Sequence, residues 1–373
     1  MRLTGAARSL AQASRPLAIS LWVTVAGGLG AEAQMLAPRY AHTATLLADG
    51  RVLVYGGLGP RDGFVLGTEL YDPATGQFVP GPRNHKCRAF HTATLLHDGT
   101  VLIAGGFVLP YSTSRSAELF DGRGFVFLEH SMSAPRELAT ATLLDDGRVL
   151  IAGGFLGGVK SLAGCDLYDP ASRSFAPTGR MQVTRFGHAA CKLADGRVLV
   201  TGGGQFPQEG TLASAELYDP STGRFQSAGR MLSQRARHTA TLLPDGRVLI
   251  TGGNSIAAGG QLAGTELYDP ATATFAAGPD MAEPRMDHTA TTLPEGRVLI
   301  TGGFNGVGGP HTVASCEVFD PAQARLRPAP SLPAAVHEQQ ATLLSSGAVL
   351  VTGGLSVAPG HREVLADAAL IAP

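Results

Sequence analysis

His238-Thr239-Ala240-Thr241-Leu242-Leu243-Pro244-Asp245-Gly246-Arg247-Val248-Leu249-Ile250-Thr251-Gly252-Gly253 decides the fold. Two short runs rich in Thr, Leu, Val and Ile flank an Asp-Gly pair, which predicts strand, turn and strand, because Asp-Gly tolerates the positive φ angles of a tight hairpin. The diglycine closes the second strand, where the backbone must bend or approach a neighbour closely and a Cβ would clash. A Gly-rich loop follows. Then comes Glu266-Leu267-Tyr268-Asp269-Pro270, a third strand stopped by proline, and a fourth strand opening at Phe275.

The same unit recurs along the chain. Diglycines begin at Gly56, Gly105, Gly153, Gly202, Gly252, Gly302 and Gly353, in steps of 49, 48, 49, 50, 50 and 51 residues. A repeat of this length is one supersecondary unit that buries its faces only against its neighbours. Asp-Gly recurs at Asp49, Asp98, Asp146, Asp195 and Asp245, with Glu295-Gly296 and Ser346-Gly347 in the same slot. The fourth strands open at Phe78, Phe125, Phe175, Phe225, Phe275 and Leu326. Four antiparallel strands per repeat predict an all-β propeller of seven blades, since radial closure leaves only short strand edges. In the seventh repeat the first two strands lie within Gln340 to Gly354, and the third is expected at Glu363 to Asp367. Its fourth is expected either from Ala368 to Pro373 or from the stretch before Arg39, because Met35-Leu36-Ala37-Pro38-Arg39 matches Met231-Leu232-Ser233-Gln234-Arg235.

The diglycine, the Tyr or Phe about a dozen residues later, and the aromatic that opens the fourth strand together resemble the kelch repeat. The wording of the first two strands looks most like bacterial kelch and galactose-oxidase-type propellers. The resemblance spans residues 35 to 373. It implies a seven-bladed kelch-type propeller over residues 34–373 whose first strands line a central channel. One departure is Phe or Leu where kelch repeats carry Trp in the fourth strand, which fills the same apolar slot with less area.

Residues 1–33 stand outside the repeat. Arg2, Arg8 and Arg15 precede an apolar run from Leu17 to Leu29, then Ala31-Glu32-Ala33. This reads as a secretory signal peptide cleaved after Ala33, the run being shorter than the ~18 residues of a spanning helix. The expected destination is secreted or periplasmic, with no membrane span after processing. Charge is balanced, 29 basic against 30 acidic residues, and no basic run appears, which argues against a nucleic-acid partner. Cys165, Cys191 and Cys316 fall within strands and Cys87 in a loop, in no zinc-binding spacing.

Two sets of polar residues recur ahead of the first strand. Arginine stands at Arg39, Arg88, Arg136, Arg185, Arg235 and Arg285, with Val336 in the seventh slot. Three residues on come His42, His91, His188, His238 and His288, with Ala139 and Gln339 substituting. The kelch resemblance implies that the arginines sit at the channel mouth, where kelch adaptor proteins bind acidic peptides. Six converging guanidinium groups can hold carboxylates, sulfates or phosphates. The other role open to them is scaffold, each Arg bonded to backbone carbonyls of a neighbouring blade and each His fixing a turn. Equivalent histidines on separate blades lie too far apart to share one metal ion at ~2 Å, and no cofactor is expected.

Function is better sought where repeats differ. The residue before the His slot is Ala41, Phe90, Leu138, Gly187, Arg237, Asp287 and Glu338 in turn. Arg237, Asp287 and Glu338 therefore join the six arginines as candidate ligand-binding residues, although Arg237 with Asp287 also reads as an ordinary surface ion pair. Loops carried on a rigid scaffold are the other usual place for binding residues. The expectation is a secreted binding module that recognises a protein or glycan ligand, with anionic ligands among the candidates, through one face. The alternative is a sugar epimerase or mutarotase using Glu338, His337 and Asp287 for acid–base work. A galactose-oxidase copper site, with two Tyr, two His and a Tyr–Cys cross-link, is not carried over. Tyr71, Tyr168, Tyr218 and Tyr268 are consumed by the third-strand slot, and no Tyr-His pair occurs.

Overall fold

The computed structural model describes residues 33–208 and 210–372. The leader expected over residues 1–33 lies outside the described residues except for Ala33. The regular secondary structure of the described residues is β, apart from one short 3-10 turn at Pro60–Asp62. They build seven four-stranded antiparallel sheets, numbered I to VII along the chain. Sheet I comprises Thr43–Leu46, Val52–Tyr55, Thr68–Asp72 and Gln77–Pro80, hydrogen-bonded in that order.

The repeating pattern explains the layering. Second strands such as Val52–Tyr55, Val248–Thr251 and Val298–Thr301 are buried at every residue, because sheets pack on both of their faces. Continuous Val, Leu and Ile suit that position. First strands such as Thr43–Leu46 and Thr140–Leu143 are half-buried, and consecutive first strands neighbour one another in a cycle that returns from sheet VII to sheet I. They are therefore the innermost strands. Seven hydrophobic clusters join consecutive sheets. One unites Leu47, Leu53 and Tyr55 of sheet I with Val101, Ile103 and Phe120 of sheet II. Another unites Val52, Val54 and Tyr71 of sheet I with Leu344, Leu350 and Ala368 of sheet VII. The third-strand aromatic meets the fourth-strand Phe in five sheets, as in Tyr268–Phe275 at 4.8 Å between ring centroids. Such tilted pairs add to their area burial.

The hairpin turn is longer than a two-residue Asp-Gly turn. In sheet I the last ladder pair is Leu46 with Val52, and Leu47 N–H donates to the Arg51 carbonyl at 2.8 Å. Only Gly50 has positive φ, at 87°. This is a three-residue loop with glycine in the left-handed position. Asp49 has a different role, accepting bonds from the Arg51 N–H and Nε.

Sheet VII corrects the reading of the chain's end. Residues His361–Val364 pair with Leu355–Ala358 as a loop hairpin, and the third strand is Asp367–Ile371. The fourth strand comes from the N-terminal side, with Ala33 opposite Ala368 and Gln34 opposite Asp367. The chain thus closes on itself through its N-terminal stretch.

Candidate functional site

The six arginines are not at the surface of the mouth. Arg39, Arg88, Arg136, Arg185, Arg235 and Arg285 are each no more than 1% exposed. Each donates from NH1 to the carbonyl of the first glycine of its own sheet's diglycine, for example Arg235 to Gly252 at 2.6 Å. Each also pairs with a third-strand acid: Glu69, Glu118, Asp166, Glu216, Glu266 and Glu317 respectively. The acids in turn accept backbone N–H groups from the loop ahead of the arginine, as Glu266 does from Leu232 and Ser233 at 2.7 and 3.0 Å. These guanidinium groups clamp the second and third strands of sheets I to VI to their entry loops. Their NH1 and NH2 groups are all bonded inside the fold, so the arginines expected to form an anion-binding ring are placed as scaffold residues. The carbonyl partners belong to the arginine's own sheet, not to its neighbour.

The histidines are also interior. His42, His91, His188, His238 and His288 place Nε2 on a threonine hydroxyl of the preceding sheet, as His238 does with Thr201 at 2.8 Å. Their Nδ1 atoms are buried without partners. Burial, reinforced by the nearby arginines, pushes all five well down, to about 3 for His91, His188 and His288. They are neutral spacers between sheets. Gln339 fills the seventh slot by donating Nε2 to the Thr301 carbonyl at 2.8 Å.

Between each arginine and histidine the backbone does something the sequence does not announce. Ala41, Phe90, Leu138, Gly187, Arg237, Asp287 and Glu338 all adopt left-handed conformations, with φ between 52° and 56°. The N–H of each donates to the carbonyl of its counterpart on the previous sheet, Phe90 to Ala41, Leu138 to Phe90, and so on, until Ala41 donates to Glu338. Seven hydrogen bonds of 2.7–3.3 Å close into a ring around the channel. Six non-glycine residues held at positive φ store strain, which persists only where surrounding structure over-determines it and clusters at functional sites.

The side chains of this ring border a depression of about 480 Å³. One arc is apolar, with Ala41, Phe90 and Leu138 in order. The other arc is charged, with Arg237, Asp287 and Glu338 on consecutive sheets. Arg237 NH1 bridges Asp287 at 2.9 Å and Glu338 at 3.1 Å. The Asp287 and Glu338 side chains are only 12% and 13% exposed and that of Arg237 31%, so this is a largely desolvated triad, not an open surface pair. Burial pushes the Glu338 carboxyl up to about 7, helped by Asp287 and opposed by Arg237. Asp287 and Glu338 in turn hold Arg237 charged, above its ordinary value. His337 stands beside them, pushed down by burial to about 4, with a buried Nδ1 that has no partner. Donor atoms of Asp287, His337 and Glu338 lie within 4.8 Å of one another.

The Gly-rich loops rise around the same end. Their hairpins are anchored to the residues just ahead of the ring by bridges such as Tyr40 with Leu58, Glu137 with Phe155 and His337 with Leu355. Asp62 and Arg362, on loops distant in sequence, meet at 2.6 Å, and Tyr40 donates to the same Asp62 oxygen at 2.6 Å. The positional variability at the slot before each histidine is the sequence signal for the charged arc. No local signal marks the ring of backbone bonds, because it exists only when the sheets assemble.

No protein family matches this sequence, and no curated protein does. Among solved structures the chain resembles a fungal alcohol oxidase of the AA5 family, determined in complex with copper. The TM-score is 0.73 at 16% identity, over 93% of this chain and 76% of that one. The residues here do not fit the two-Tyr, two-His copper set. Tyr168, Tyr218 and Tyr268 are packed on phenylalanines in the inter-sheet cores. Five histidines have Nε2 on threonine. The mouth carboxylates Asp287 and Glu338 are already bridged by the Arg237 guanidinium. The likeness extends to architecture, and the chain has a galactose-oxidase-like all-β propeller fold.

Proposed function

We propose that this chain is an exported, seven-bladed kelch-type propeller that acts as a binding module and takes a saccharide at its channel mouth. The observation that carries this reading is the two-sided ring. Phe90 and Leu138 offer an apolar arc opposite the hydrogen-bonding edge of Arg237, Asp287 and Glu338, around a depression of about 480 Å³. Mostly apolar walls with a few placed polar groups are the usual make-up of a small-molecule site. A sugar ring has the matching chemistry, with one C–H face for an aromatic ring and hydroxyl groups at its edge. The triad carries both signs of charge, and the six recurrent arginines are buried. Both points favour a neutral ligand over a polyanion. In isothermal titration against neutral and anionic saccharides, Phe90→Ala and Glu338→Ala are expected to abolish binding of a neutral sugar with the melting temperature nearly unchanged. Binding only of anionic ligands, or binding unaffected by both substitutions, would sink the proposal.

A carbohydrate-active role is the second reading. It is favoured by Glu338, pushed up to about 7 and set beside Asp287. A carboxyl poised near neutrality can both donate and accept a proton. Polarimetry of fresh α-glucose and α-galactose decides it. A rate increase abolished by Glu338→Gln, with sugar affinity retained, supports an epimerase or mutarotase, and no increase with any sugar leaves the binding role.

A further inference from the structure

The seventh sheet lacks the internal clamp of the other six. Val336 stands where they have arginine. Ala369, opposite Val351, stands where sheet VI has Glu317 opposite Ile300. Both halves of the buried ion pair are therefore replaced together, which avoids leaving one charge buried alone. The space is not refilled. A cavity of about 230 Å³ remains, lined by Leu332, Val336, Val351, Gly353, Asp367 and Ala369, with exposed Pro333 and Asp367 at its rim.

The acceptors of the missing guanidinium are still in place. In sheet IV, Arg185 NH1 donates to the carbonyls of Gly202 and Ser214 at 2.6 and 3.1 Å. Arg285 does the same in sheet VI with Gly302 and Ser315, both at 2.9 Å. The counterparts in sheet VII are Gly353 and Asp367. The Asp367 carbonyl already accepts the Gly353 N–H at 2.9 Å, as the Ser214 carbonyl accepts Gly202 N–H at 3.1 Å beside its arginine. No donor among the described residues reaches the Gly353 carbonyl. A buried carbonyl without a donor is costly.

We propose that this vacated slot is a binding site for an alkylguanidinium group, the chemistry of an arginine side chain supplied from outside the chain. The apolar walls take the methylene stem, the two carbonyls take N–H donors, and the Asp367 carboxylate at the rim supplies the opposite charge that Ala369 lacks. The six filled slots serve as the internal precedent for the bound geometry. This inference is independent of the channel mouth.

The test is titration of the full chain with n-butylguanidinium, followed by melting temperature and by the Gly353 amide resonance. Methylguanidinium and n-butanol serve as controls for the charged head and the stem alone. Saturable binding of n-butylguanidinium at least ten-fold tighter than either control is expected. It should vanish in Val336→Arg/Ala369→Glu, which restores the pair found in the other sheets. If that variant does not fold, Val336→Met, which occupies the cavity without charge, must weaken binding, and the Gly353 resonance must move on titration of the unsubstituted chain. No saturable binding, an affinity matched by n-butanol, or a Gly353 resonance that stays still would overturn the proposal. Two further arms, free arginine and N-acetyl-arginine amide, separate the sources. Tighter binding of the blocked form points to a partner polypeptide, and tighter binding of the free form points to a small metabolite.

Discussion

Acidification should unfold this protein through its buried histidines. The unfolded chain protonates each near its ordinary 6.5, whereas folded His91, His188 and His288 resist until about 3, and His42 and His238 are also held well below normal. His337 adds a sixth, at about 4. Because these folded values are depressed, the unfolded state binds more protons below 6.5, and stability falls as pH falls. Glu137 and Glu338 act the other way. Both are raised to about 7, so their contribution is full below their unfolded value near 4.5 and is lost as pH rises through 7. Near pH 5.5 the six histidines less the two carboxyls leave a difference of about four protons, or ~5 kcal/mol per pH unit. That slope is comparable to the whole stability of an ordinary domain, roughly 5–15 kcal/mol. Urea unfolding followed by circular dichroism between pH 7 and 5 measures it. The triple variant His188→Gln/His238→Gln/His288→Gln copies the natural Gln339 and should reduce the slope by about three protons, ~4 kcal/mol per pH unit. An unsubstituted slope of about one proton or less, or one unchanged in the triple variant, would refute the reasoning.

The clamp makes a second prediction. Arg285→Met leaves the Glu317 carboxylate buried without its cation and should cost about 3–5 kcal/mol. Arg285→Val with Glu317→Ala, which copies sheet VII, should cost less than the single change in urea unfolding. The glycines make a third. At Gly252 a Cβ would lie 2.4 Å from the Arg285 carbonyl oxygen, so Gly252→Ala should prevent the close approach of sheets V and VI and lower the melting temperature severely. Gly246 shares positive φ but has nothing within 4 Å of the added carbon, so Gly246→Ala should cost only the left-handed penalty of about 1–2 kcal/mol. Equal melting temperatures for the two variants would contradict the close-packing explanation.

The all-β class, the strand-turn-strand units and their repetition were legible because each rests on local chemistry. β-branched runs, a glycine with positive φ and a proline stop act over a few residues. The partner of each buried arginine was not legible. Arg235 and Glu266 stand 31 residues apart, and a recurring arginine reads equally as a ligand ring or as a clamp until burial is known. The end of the chain was misread for a related reason. The third strand of the seventh unit was expected at Glu363 to Asp367, yet Asp367–Ile371 takes that place because Ala368 and Ile371 are the residues that bury in the clusters joining sheet VII to sheets I and VI.

By itself, then, the sequence determined that the chain folds as repeated four-stranded units, since period, turn glycines and apolar strands are properties of neighbouring residues. It also singled out Arg237, Asp287 and Glu338 by their departure from the repeat. Only the tertiary structure decided that six arginines are interior, that seven left-handed residues close a hydrogen-bonded ring, and that three charged members of that ring face an apolar arc. Those outcomes depend on which groups lose water when the sheets meet, and desolvation is a property of the assembled fold.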